Sequence, residues 1–100
     1  MNTRELYKQK YEAQMREWNA RLDLLKAQTE KLTAQAKLDV KPRLDALHAK
    51  LDAAKVRFNE VAEATDEKWD GVVKKLDHTW DELKAAAEGA IDAVKRHKKE

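Results

Sequence analysis

Residues 11–36 read YEAQMREWNARLDLLKAQTEKLTAQA. Within them, apolar or small residues fall at Tyr11, Met15, Trp18, Leu22, Leu25, Thr29, Leu32 and Ala36, at alternating spacings of four and three. That rhythm is the heptad seam of an amphipathic helix. Upstream, Thr3 is a fair N-cap, and Glu5 places a carboxylate in the first turn, where it meets the positive end of the helix.

The rhythm breaks near residue 40, where Ala36, Val40 and Leu44 follow one another at fours and Pro42 lies inside the break. A proline deep in a helix lacks a donor and clashes with the preceding turn at a cost of about 3 kcal/mol, but in the first turn it costs little. The expectation is a turn within residues 37–42, with Asp39 capping the next helix. The seam resumes at Leu44, Leu47, Leu51, Ala54, Phe58, Val61 and Thr65.

Beyond Thr65 the spacing reads as an 11-residue repeat, with Trp69, Trp80 and Ile91 in one column and Val72, Leu83 and Val94 in another. Such a repeat averages about 3.67 residues per turn, so its stripe runs nearly straight or slightly right-handed. Gly71, His78 and Gly89 then lie opposite the Trp column, facing solvent.

The expected fold is all-α: a long antiparallel helical hairpin of coiled-coil type, one domain over residues 1–100. Helix 1 covers about residues 3–37 and helix 2 about residues 40–96. At 1.5 Å per residue these span about 50 and about 80 Å, so the first cannot cover the second. A dimer then buries the remaining stripe. The alternative is a three-helix bundle with a second break near residue 65, where Thr65-Asp66-Glu67 offers a helix start but no Gly, Pro or Asn marks a stop.

Composition agrees with long helices. Charged residues make up 40% of the chain and aromatics 6%, with two glycines and one proline. High charge and few aromatics also describe disordered chains, but a net charge of only +2 and periodic apolar residues argue for helices. The first half of the chain is net basic and the second net acidic, so antiparallel helices would bring opposite charges together. With no cysteine, disulfides, thiolate metal sites and cysteine nucleophiles are excluded. Met1 leads into a charged segment and no run of eighteen apolar residues occurs, which makes a cytoplasmic location the expectation.

Three segments carry a resemblance: EAQMREWNARLDLLKAQ (12–28), LDALHAKLDAAKVRFNEV (44–61) and EKWDGVVKKLDHTWDELKAAAEGAIDAVK (67–95). In this order they resemble a family of small bacterial coiled-coil proteins described as stress-response proteins. The 11-residue repeats are also similar to those of exchangeable apolipoproteins and late-embryogenesis-abundant proteins. The bacterial likeness implies an unbroken helical middle, from which Pro42 departs, and a cytoplasmic, stress-associated role. It brings no catalytic residues with it.

Chemistry-bearing patterns are sparse. His78 with Glu82 and His48 with Asp52 stand one helical turn apart, but a metal needs three or four converging ligands, so no metal or other cofactor is expected. Phosphate loop, HExxH helix and nucleophile elbow are all missing, which argues against an enzyme and a small-molecule substrate. Glu5, Glu12, Glu17, Asp23 and Glu30 interleave the basic N-terminal half, arguing against nucleic acid. A membrane surface is the stronger rival, since Trp69, Val72, Leu76, Trp80, Leu83 and Ile91 form one apolar stripe. Helices on anionic lipid carry bases opposite such a stripe, whereas residues 66–92 are net acidic.

The leading expectation is therefore a non-enzymatic structural or protein-interaction coiled coil, a homo-oligomer or the holder of a protein partner. The rival is a peripheral lipid-binding or protective protein. The expected interaction face comprises Trp18, Leu22, Leu25, Leu51, Phe58, Trp69, Val72, Leu76, Trp80, Leu83, Ile91 and Val94.

Overall fold

The computed structural model describes residues 3–98. Three helices follow one another, α1 (Thr3–Glu30), α2 (Ala34–Glu63) and α3 (Trp69–Lys98), with no strand among the described residues. The chain is thus all-α, and of the two expected arrangements it takes the three-helix bundle. α2 and α3 share the most extensive interface, and α1 lies along both, more on α2 than on α3.

The first turn is displaced from the expected 37–42 to residues 31–33. The Thr33 side chain caps α2 by accepting a hydrogen bond from the Ala36 N–H at 3.2 Å, while the N–H groups of Lys31 and Leu32 close the end of α1 on the carbonyls of Gln28 and Thr29. Pro42 is the ninth residue of α2, well inside it. It stands on the exposed side, as does Leu38, whose carbonyl loses its donor to the proline ring. Water can satisfy a carbonyl there, so the helix continues through the break in spacing.

The second turn occupies residues 64–68, which divides the expected helix 2. Its anchor is Arg4, from the other end of the chain. The guanidinium donates to the Ala64 carbonyl and pairs with Asp66 at 2.8 Å. The C-cap residue Ala64 closes α2 by donating its N–H to the Val61 carbonyl at 3.3 Å, and its own carbonyl is satisfied by this tertiary contact.

The core follows the seams. On α2, Val40, Leu47, Ala54 and Val61 recur every seven residues and are all but fully buried. On α3 the expected 11-residue period gives way to the same seven: Leu76, Leu83 and Ala90 form one buried column, Trp80, Ala87 and Val94 the next. Ile91 is left half-buried at the rim while Ala90 and Ala93 are sealed. Ala87, Ala90 and Ala93 are all but fully buried, so small side chains line the packed side of this part of α3. Gly71 and His78 are exposed as expected, whereas Gly89 is half-buried with Arg43 of α2 close by.

Buried hydroxyls are satisfied locally. Thr29 donates to the Leu25 carbonyl at 2.7 Å and Thr79 to the Lys75 carbonyl at 3.0 Å, each one turn back in its own helix.

Candidate functional site

The twelve residues of the expected interaction face lie inside the bundle or on its margin. Leu22, Leu25, Leu51, Leu76, Trp80, Leu83 and Val94 are buried in the core. Trp18, Phe58, Trp69, Val72 and Ile91 are partly buried and pack against it. Folding within one chain covers the stripe that a second copy was expected to cover. The Trp stripe is likewise closed to lipid unless the bundle opens.

Around Trp69 and Trp80 the structure assembles a polar-aromatic clamp between α1 and α3. Tyr7 meets Trp69 edge-on at 5.9 Å between ring centroids, and Tyr11 meets Trp80 edge-on at 5.4 Å. Asp77 accepts a hydrogen bond from the Tyr11 hydroxyl and lies 3.3 Å from that of Tyr7. Arg4 stacks over Trp69 at 4.6 Å, and the Lys10 ammonium lies over both tyrosine rings. Burial, reinforced by the bond to Asp77, pushes the Tyr11 phenol far above its ordinary value, so it stays a proton donor. Tyr7 and Tyr11 stand four residues apart on one face of α1; sequence reasoning used Tyr11 alone, as the start of the helix seam. The clamp ties α1 to α3.

The histidine–acid pairs are surface ion pairs, His78–Glu82 at 2.8 Å and His48–Asp52 at 3.6 Å. Among the described residues no group of three or more His, Asp or Glu converges as a metal would require. No helix among them is long and apolar enough to cross a membrane.

What remains apolar and open lies elsewhere. The exposed large hydrophobics are Leu6 and Leu24 on α1 and Leu38 and Val56 on α2, each between 53% and 75% exposed. Leu6 and Leu24 are 18 residues apart, and so are Leu38 and Val56. Eighteen residues make five full helical turns, so each pair lies in line along its helix. Ala13, Ala20 and Ala27 follow Leu6 at sevens on α1, and Pro42 and Ala49 precede Val56 at sevens on α2; all are exposed. These lines run opposite the buried seams of the same helices. α1 and α2 are therefore apolar on two sides, while the outer face of α3 carries charges such as Asp81, Lys84, Glu88 and Asp92. Leu38 and Pro42 also wall an open groove of about 630 Å³ floored by Thr29 and Leu44 and edged by Lys26 and Lys41. Sequence reasoning, occupied with one seam per helix, did not single out these second lines.

No family model matches this chain, and neither a curated protein nor a solved structure does.

Proposed function

We propose that this chain is a non-enzymatic helical interaction protein that works through the outward faces of α1 and α2. The observation carrying this reading is the placement of its exposed large hydrophobics. All lie on two straight lines opposite the core seams, and α3 contributes none. Single exposed apolar residues are commonplace, but apolar lines at heptad spacing are how helices meet other helices. Its resemblance to bacterial stress-response coiled coils adds a cytoplasmic, stress-associated setting to the proposal.

The rival lipid-binding reading requires the bundle to open, because Trp80 and Leu83 are inside it. A photo-cross-linking residue placed at Leu24, at Val56 and, as a control, at Lys84 on the outer face of α3 tests the choice in living cells. Protein adducts are expected at the first two positions and not at the third. Adducts to lipid alone, or no adducts at any position, would reject the interaction reading.

A further inference from the structure

We infer that the partner of the α1 line is the α2 line of a second copy of this chain, so that copies join head to tail. This inference rests on the interaction reading above and names the occupant of the same faces. The two lines match in length, each spanning about 27 Å between its end hydrophobics at 1.5 Å per residue. They also differ in charge. Within about 60° of the Leu6–Leu24 line, taking 100° per residue, lie Lys10 and Arg21 against Glu17, the last two paired with each other. The same window about Leu38–Val56 holds Asp45, Asp52, Glu60 and Glu63 against Lys41. A basic border thus meets an acidic one, whereas either line paired with itself would oppose like charges.

Charge order also selects a direction. With the helices parallel, Leu6 opposite Leu38 and Leu24 opposite Val56, Lys10 comes within a turn of Asp45 and Arg21 beside Asp52. Reversed, Lys10 would meet Asp52, but Glu17 would fall on Asp45 and Arg21 on Lys41. In the parallel alignment Leu6 of one copy reaches the mouth of the groove beside Leu38 of the next.

Each line points away from a common core on a different side of the bundle, so one partner cannot cover both. The contact is therefore heterologous, generating a ring or an open chain in place of a two-fold dimer.

Two surface variants test this by sedimentation on the purified full chain. Leu24→Glu disables the α1 line and Val56→Glu the α2 line; both positions are more than half exposed, and far-UV circular dichroism checks that helicity is kept. The wild type should grow past dimer mass between micromolar and millimolar concentration, and each variant alone should stay monomeric. An equimolar mixture should form one-to-one dimers and stop there, because only one good line of each kind remains.

The chain has no native cysteine, so direction can be read by oxidation. Leu24→Cys mixed with Val56→Cys should cross-link, and Leu24→Cys mixed with Leu38→Cys should not; the opposite pattern overturns the parallel alignment. A variant that dimerises alone, or a mixture that does not dimerise, overturns the head-to-tail contact. A wild type monomeric throughout overturns self-association, and adducts to other proteins in the cellular experiment would then leave the broader reading standing.

Discussion

Trp80 shows what a single side chain contributes here. It is 4% exposed, meets Tyr11 edge-on and belongs to one of the buried columns of α3. Trp80→Ala should cost about 3 to 5 kcal/mol, a large share of the 5 to 15 kcal/mol that a domain can hold, as urea unfolding would measure. His78, two residues away, points to solvent and holds Glu82 in a surface pair. His78→Ala should change stability by less than about 0.5 kcal/mol in the same assay. Equal losses would mean the buried face is assigned wrongly. Tyr11 bonds a carboxylate in the core margin, so Tyr11→Phe should cost about 1.5 to 3 kcal/mol at neutral pH. Its raised phenol value adds a signature in pH. The contribution is complete below the ordinary tyrosine value of 10.0 and is lost as pH rises beyond it, since only the unfolded chain ionises easily. Alkaline melting curves should steepen in the wild type and flatten in Tyr11→Phe.

At the scale of an element, α2 tolerates a proline because of the side it presents. Pro42→Ala restores the N–H that the Leu38 carbonyl lacks and leaves the buried seam untouched, so α2 should gain about 1 to 3 kcal/mol. A loss of stability on thermal unfolding would mean that Pro42 marks a needed bend. The α2–α3 interface carries two ionic ties at its edge. His97 lies 2.9 Å from Asp39, with Arg43 and Arg96 nearby, and this bond holds the Asp39 carboxyl below its ordinary 3.8. Lys50 does the same for Glu82, below its ordinary 4.5. Lowered carboxylates stabilise the fold above those ordinary values, and the contribution disappears as pH falls through the still lower folded ones. Melting temperature should therefore decline below about pH 4.5, with a shallower slope in Asp39→Asn.

As a whole the molecule is a short rod, 52 × 21 × 15 Å with a radius of gyration of 15.9 Å, against about 13 Å for a compact chain of this length. Turn position fixes which residues face each other along it. A turn at residues 31–33 sets Lys26 opposite the start of α2, near residue 38, and leaves Lys55 some 17 residues further on, about 25 Å at 1.5 Å per residue. A turn near residue 40 would bring Lys26 and Lys55 side by side. Spin labels at these positions, diluted with unlabelled protein so that only distances within one chain count, should report the longer separation. A distance near 10 Å, the spacing of packed helices, would restore the expected hairpin.

Helical class and the core-facing sides of α1 and α2 were legible in the residues themselves. Heptad spacing through Leu22, Leu25, Leu47, Leu51 and Val61 is a local property, and a helix with one apolar seam must bury it. Where the helices end was decided by the tertiary structure. Pro42 looked like the turn because a proline's cost depends on whether its missing bond faces core or water, which spacing alone does not show. The turn after Glu63 is held by Arg4, some 60 residues away, which donates to the Ala64 carbonyl. Packing also brought Ala90 and Ala93, outside the expected 11-residue columns, into the buried side of α3. And only the folded bundle, by burying the Trp stripe, left Leu6, Leu24, Leu38 and Val56 as the exposed large hydrophobics among the described residues.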